Sequence, residues 1–333
     1  MTLIDVREGF PELPATAEAW LGELSGPTAV RVPGRDGSRL RVVSGLLHGN
    51  EPSGLRAIFE LLRRRALPAT RVLFFVGGVE AARHGAGLVH RMVPGRRDLN
   101  RCFRAPFSDR DGAVAQAALA LMQDEGLEAV VDLHNNTGHN PAYGVGVAAD
   151  PGRLGLTSFF ARRFVTSAFE LGALHEAFPA HVPAVAIECG RAGDPAADAL
   201  ALAGLAELLA ADRLPLGKRD DFQVLVDPVR VRVRPNVMLR FAEQRVPDAD
   251  LTMAADVDRH NFQRLDAGTR VGWVRGTSLP ITAVRESGED VSEAFFALRG
   301  SELVTRRPMV PIMMTTNATV AVLDCLFYAA REA

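Results

Sequence analysis

Lysine is almost missing from this sequence: Lys218 is the single one, and every other basic side chain is arginine. That bias reads as base composition of the coding sequence, although arginine's planar fork also suits bidentate carboxylate contacts. Cysteine is sparse as well. Cys102, Cys189 and Cys325 make an odd set with no CxxC spacing, which argues against a disulfide framework and against a cysteine-based metal centre. A reducing, cytoplasmic compartment fits. Neither sign of charge dominates, and the formal net charge of -2 gives no general pull toward nucleic acid or acidic membranes. No run approaches the roughly 18 apolar residues that a membrane span requires. The opening MTLIDVREGF lacks a basic stretch followed by an apolar one, so no secretory signal is expected. Internal repeats, heptads and low-complexity tracts are absent too.

What is there is a chain of 333 residues, 47% hydrophobic and 23% charged. This is the composition of a soluble globular protein with one large domain or two ordinary ones. The first two thirds alternate strands and helices. Strands are expected at Arg39–Leu47, Arg71–Val76, Glu128–Leu133 and Pro183–Cys189, each wholly or partly an apolar run fit for a buried sheet. Helices are expected at Pro52–Ala66, Gly112–Glu125, Pro151–Leu171 and Pro195–Arg213, with proline tolerated in a first turn. Such alternation implies an α/β fold, a mostly parallel or mixed sheet flanked by helices. Near Leu214 the character changes. After the polar segment LPLGKRDDF come short β-branched runs at Gln223–Val226, Val229–Val233, Val237–Phe241, Arg270–Val274 and Ile281–Val284. Two domains are therefore expected, 1–215 and a smaller, mainly β one at 216–333. Ala318–Tyr328 fits a strand or a short helix, and pattern alone does not choose.

Four segments carry chemistry, and three of them follow expected strands. In open parallel sheets ligands bind beyond the carboxyl ends of the strands, so residues far apart in sequence can meet there. His48-Gly49-Asn50-Glu51 aims a nitrogen and a carboxylate across a turn that opens a helix. His134, in Asp132-Leu133-His134-Asn135-Asn136, supplies a second imidazole. Two histidines and one glutamate form a catalytic zinc set that leaves a position for water. Asp132 can orient a neighbour or pair with a helix N-terminus. Glu188 closes the apolar run VPAVAIE, where an unpartnered carboxylate is costly, and beside an activated water it would take and later return a proton. Arg96-Arg97-Asp98-Leu99-Asn100-Arg101 offers Asn100 and Arg101 for an acidic substrate group and a further arginine for an oxyanion. Standing alone, that segment would read as a solvated charge run.

Taken in order, LLHGNEPSG, GGVEAARHG, RDLNRCF, VDLHNN and AIECG resemble the succinylglutamate desuccinylase/aspartoacylase family, relatives of the zinc carboxypeptidases. The resemblance implies one zinc ion per chain, held by His48, Glu51 and His134. It makes Glu188 the general base and acid, and gives Asn100 and Arg101 to a substrate carboxylate. The family's oxyanion arginine precedes DLNR by a few residues. Here HRMVPGRRDLNR carries extra residues, which makes Arg91 the best match, with Arg96 and Arg97 near it. The β-rich tail suits the family's C-terminal domain, which leans over the active site. Aspartoacylases place an arginine about ten residues before the catalytic glutamate to grip the aspartate side chain. In this sequence Phe178 stands near that place, with His175 and His181 in the vicinity, so strict N-acetylaspartate specificity is not expected. HNNTGHNPAYG also departs from the desuccinylase pattern, and Tyr143 or His139 becomes a pocket candidate.

The expected activity is hydrolysis of a small amide, an N-acyl amino acid above all. A carboxypeptidase-like peptidase and a catalytically silent zinc- or small-molecule-binding protein are the competing readings. The expected partner is a small-molecule substrate. Exposed β-edges in the tail leave a homodimer open.

Overall fold

The computed structural model describes residues 2–167, 169–217 and 221–333. Lys218 and two neighbours in the polar segment, and Ala168 within the helix expected at Pro151–Leu171, lie outside the described residues. The chain divides into two compact units: Met1–Asn135 with Ala142–Val165 and Glu170–Phe222, and Gln223–Ala333 with Asn136–Pro141 and Thr166–Phe169.

The first unit is the α/β part. Its strands are β1 (Asp5–Glu8), β2 (Thr28–Val32), β3 (Asp36–Gly45), β4 (Thr70–Val76), β5 (Leu127–Asn136), β6 (Tyr143–Gly146), β7 (Arg163–Thr166) and β8 (Ala184–Arg191). They lie in the order β1-β2-β4-β3-β5-β8-β6-β7. β3 runs parallel to both β4 and β5, whereas β2–β4 and β6–β8 are antiparallel. The sheet is therefore mixed. The helices are α1 (Ala17–Glu23), α2 (Ser53–Arg64), α3 (Val79–Arg83), α4 (Arg110–Met122), α5 (Pro151–Thr157) and α6 (Pro195–Ala210). Strand alternation sorts them onto two faces. Val42 and Val130 pack with Val114, Ala115 and Ala118 of α4. On the other face α2 lies so close to the sheet that a Cβ on Gly45 would meet the Gly54 backbone at 2.9 Å.

Most expected elements are present with shifted ends. The exception is Pro151–Leu171. The helix stops at Thr157, and Arg163–Thr166 forms β7. Near the stop, the Thr157 hydroxyl donates to the Arg153 carbonyl and the Ser158 hydroxyl to the Gly155 carbonyl. Such side-chain bonds compete with a continuing helix, and β-branched residues in Arg163–Thr166 favour a strand. The elements ahead of Arg39, namely β1, α1 and β2, carried no strong periodicity.

The second unit is mainly β. In it β9 (Gln223–Val233) pairs with β13 (Ile281–Val284) and with β17 (Phe327–Glu332), which also pairs with β16 (Val310–Ile312). A separate five-stranded sheet has the order β10 (Leu239–Ala242), β11 (Leu251–Ala254), β12 (Arg270–Val274), β15 (Glu302–Thr305), β14 (Phe296–Arg299). Two short helices, α7 (Ser292–Phe295) and α8 (Ala318–Leu323), complete it. The two strands expected at Gln223–Val226 and Val229–Val233 are one. Asp227 adopts a positive φ of 54°, and the β17 register slips between Ala329 and Arg331 opposite it. That is a bulge, which accommodates Pro228 without ending the strand. Ala318–Tyr328 holds both expected forms, helix to Leu323 and strand from Phe327.

Candidate metal centre

The centre is assembled in the first unit. β3 ends at Gly45, and Leu46 then turns through a positive φ of 56°, which starts the segment that carries His48. The next glycine is sterically required: a Cβ on Gly49 would meet the Ala82 backbone nitrogen at 2.3 Å. The His48 carbonyl accepts from Glu51 N–H at 3.1 Å, so the HGNE segment closes on itself just before α2. Pro52 occupies the N-cap of α2. In place of a side chain from its own segment, Asn135 of β5 caps this helix, its Oδ1 accepting from Ser53 N–H at 3.1 Å.

His48, Glu51 and His134 are all buried, and one donor atom from each lies within 4.8 Å of the others. Glu51 bridges the two rings: its Oε1 is 2.9 Å from His48 Nδ1 and its Oε2 is 2.8 Å from His134 Nδ1. Asn135 N–H donates to the same Oε2 at 3.1 Å. The far nitrogens meet further carboxylates. His48 Nε2 is 3.0 Å from Asp98 Oδ1, and His134 Nε2 is 2.6 Å from Asp132 Oδ2.

Each imidazole thus has a carboxylate oxygen on both nitrogens. A neutral ring has one N–H to donate, so its second nitrogen faces an oxygen lone pair unless a proton or a cation intervenes. Burial opposes charge on His134, yet Asp132 and Glu51 outweigh it and hold that ring well above its ordinary value of 6.5. Burial likewise raises the Glu51 carboxyl, but the two histidines bring it well below the usual carboxylate range. The positions that attract protons are those that would hold a metal ion. With each Nε2–H given to Asp98 or Asp132, both Nδ1 lone pairs and the Glu51 carboxylate converge as donors. Carboxylates behind metal-binding histidines fix the tautomer in this way. The donor set fits a divalent ion of the transition series.

Glu188 lies on β8, directly opposite Tyr143 of β6 in the antiparallel register. It is half-buried, and its Oε2 is enclosed with no hydrogen-bond partner. Burial pushes its carboxyl up to about 7, with His134 pulling the value down and Glu51 adding to the rise. His48 and Arg91 also act on it electrostatically, so Glu188 stands beside the cluster.

The arginines separate by their partners. Arg91 joins the centre, donating through Nε to Asp98 at 2.9 Å and lying 3.5 Å from Glu51. Arg96 is instead ion-paired with Asp111 and Glu80, and Arg97 with Asp109. Arg101 has no ion-pair partner among the described residues; one Nη bonds the Asn100 carbonyl at 2.8 Å. Asn100 is buried, with Nδ2 3.2 Å from His134 Nε2 and Oδ1 accepting from Leu174 N–H at 2.9 Å. Phe178 packs at the edge of the α4-side core, while His139 belongs to the second unit, where its N–H donates to Asp258. His175 is buried and His181 exposed.

Sequence reasoning passed over Asp98, although it stands inside RDLNR. Its Oδ1 accepts from Asn100 N–H at 2.9 Å, an Asx-type turn that the Asp-x-Asn spacing signals. It also missed the support behind Glu51. Asn135 Nδ2 donates to Ser53 Oγ, Ser53 Oγ to Asp198, and Arg56 closes on the same aspartate.

Two histidines, a bridging glutamate and an adjacent glutamate with a raised pKa, toward the ends of strands in an α/β sheet, form the arrangement of a metal-dependent hydrolase. Residues 36–164 match the family model described as Succinylglutamate desuccinylase/Aspartoacylase catalytic domain. Among solved structures, the fold is similar to a succinylglutamate desuccinylase/aspartoacylase from Rhodobacter sphaeroides at 16% identity and a TM-score of 0.57, covering 91% of this chain and 88% of that one. It is also similar to the succinylglutamate desuccinylase of Chromobacterium violaceum (13% identity, TM-score 0.56, 89% and 86% covered). Murine aminoacylase 3 gives 16% identity and a TM-score of 0.55, with 90% and 97% covered. No protein of curated function matches at the level of sequence. Among the described residues no helix is long and apolar enough to cross a membrane.

Proposed function

We propose that the protein is a zinc-dependent amide hydrolase acting on an N-acyl amino acid, with one zinc ion held by His48, Glu51 and His134. Two imidazoles and one carboxylate match catalytic zinc sites that keep a position open. Zinc, when bound, supplies Lewis acidity and makes water a usable nucleophile near neutral pH.

The chain's own residues do the rest. Glu188 removes a proton from the attacking water and later delivers it to the leaving nitrogen. A carboxyl with a pKa of about 7 suits both directions of transfer, because each is efficient when donor and acceptor are nearly matched. Arg91, fixed by Asp98, holds the developing oxyanion. Arg101, whose guanidinium pairs with no carboxylate among the described residues, receives the substrate carboxylate in bidentate fashion. Asn100 contributes from its backbone side by fixing the turn that carries Arg101. Tyr143, opposite Glu188, lines the pocket. Arg96 and Arg97 rank behind Arg91 because they pair with Glu80, Asp111 and Asp109, whereas Arg91 pairs with Asp98 and Glu51 of the cluster.

The observation that carries this reading is the enclosed, unpartnered Oε2 of Glu188 beside the His-Glu-His cluster. Similarity in fold to desuccinylases and to an aminoacylase supports the N-acyl amino acid class. The test is metal analysis followed by a hydrolysis screen of N-acetyl and N-succinyl amino acids and of short peptides, using zinc-loaded protein. One zinc per chain and release of a free amino acid are expected. Absence of zinc after growth in metal-replete medium overturns the metal assignment, and cleavage of peptides alone overturns the substrate class.

A further inference from the structure

Beneath the metal cluster lies a second set of polar groups, which the proposed reaction does not use. Ser44 and Asp132 are register partners on the parallel strands β3 and β5. Their side chains therefore rise from one face of the sheet, about 5 Å apart in the direction between strands. Both are fully buried. Asp132 Oδ2 is taken by His134, but Asp132 Oδ1 and Ser44 Oγ are enclosed with no hydrogen-bond partner among the described residues.

His175 completes the set. It is 7% exposed, and neither ring nitrogen has a hydrogen-bond partner among the described residues. It sits in the short turn Leu174–Glu176, which is docked on this face through the Leu174 N–H to Asn100 Oδ1 bond, with Asn100 in turn beside His134. Burial lowers the ring's pKa to about 4, while the Asp132 charge acts in the opposite direction, so the imidazole is uncharged at neutral pH and close enough to sense that carboxylate. Around these groups the packing is apolar, with Val42, Val130, Leu174 and Ala184 in one cluster. Enclosed polar atoms are almost always satisfied, and a buried water typically makes about three hydrogen bonds.

We propose that His175 is a positioning residue for the metal centre, reaching Asp132 Oδ1 through one buried water shared with Ser44. The water accepts from the His175 N–H and donates to Asp132 Oδ1 and to Ser44 Oγ, which satisfies Asp132 on both oxygens. With Oδ1 held, Oδ2 stays aligned on His134 Nε2, and the His134 Nδ1 lone pair stays directed at the metal. The inference rests on the metal-binding reading above for its effect on zinc, but not for its effect on the His134–Asp132 bond.

The test uses His175→Phe, His175→Gln and Ser44→Ala in the full chain. Zinc affinity is measured by chelator competition, and the His134 Nε2–H resonance is followed with 15N-labelled histidine in metal-free protein. His175→Phe is expected to weaken zinc binding by about 10-fold, at the low end of effects for groups that support metal ligands, and to move the Nε2–H resonance upfield. Ser44→Ala should shift both readouts in the same direction by less, and His175→Gln, which can still donate, should restore most of both. A residue that serves only packing would lower the melting temperature and leave the resonance in place. An unchanged resonance in folded His175→Phe, or in Ser44→Ala if His175→Phe does not fold, overturns the proposal. If wild-type protein binds no zinc, the metal reading fails, and the resonance still decides whether His175 positions Asp132.

Discussion

His48 and Asp98 are joined at 3.0 Å through Nε2 and Oδ1, and Arg91 donates to the other oxygen of the same carboxylate at 2.9 Å. One aspartate thus orients a metal-facing histidine and the arginine assigned to the oxyanion. Burial opposes the Asp98 charge, but His48 and Arg91 hold its carboxyl far below the usual range. Asp98→Asn keeps the shape and removes the charge, leaving the amide free to present its nitrogen to His48. It should weaken zinc binding by about 10- to 100-fold and lower kcat as well, because Arg91 loses its anchor. Chelator competition and steady-state kinetics on one preparation check both effects.

Glu188 should be separable from metal binding. Glu188→Gln removes proton transfer while preserving volume, so kcat is expected to fall by roughly 10^2- to 10^4-fold with zinc content unchanged. Retained turnover in a zinc-loaded Glu188→Gln protein removes Glu188 from its assigned role.

The same residue sets a pH dependence in metal-free protein. Its carboxyl is raised from 4.5 to about 7 on folding, so between those values the folded state binds more protons than the unfolded state. Stability contributed by this group is therefore present below about 4.5 and is lost as pH rises through about 7. Metal-free Glu188→Gln should lack that loss and melt higher than wild type at pH 8, with the gap closing toward pH 5. Thermal melts across that range in a chelating buffer provide the measurement.

Arg91 and Arg101 should divide kcat from KM. Arg91→Ala is expected to lower kcat by about 10^2- to 10^3-fold, the effect of losing an oxyanion donor. Arg101→Ala should act mainly on KM, because a carboxylate contact remote from the reacting carbonyl serves ground state and transition state alike. Arg96→Ala should leave both constants near wild type and lower the melting temperature, since Arg96 ties Asp111 of α4 to Glu80 of α3. Equal kinetic losses in Arg96→Ala and Arg91→Ala would sink the assignment of the oxyanion to Arg91.

Much of the centre was legible before the fold. His48, Glu51, His134 and Glu188 each follow or close an apolar run, and a parallel sheet gathers the ends of its strands, but what marked them as a set was the order of HGNE, DLNR, DLH and AIECG, which resembles that of one family. The same holds for the α/β class, which needs only the alternation of periods. Less was legible where local rules conflict. Thr157 and Ser158 end a helix that composition would have continued to Leu171, and the bulge at Asp227 makes one strand out of an apparent two.

What the sequence by itself determined is the candidate donor chemistry: two imidazoles, a carboxylate and a further glutamate, in an order that resembles that of one family. Tertiary structure decided which side chains serve them. Arg91, Arg96 and Arg97 are chemically alike and close in sequence, yet only Arg91 pairs with Asp98 and Glu51, whereas its neighbours pair with Asp111, Glu80 and Asp109. Likewise the pairing of Asp98 with His48, and the burial of Ser44, Asp132 and His175 on one face, depend on strand register and loop docking. Those are set by packing over the whole sheet, and a local sequence pattern does not encode which distant partner a side chain will meet.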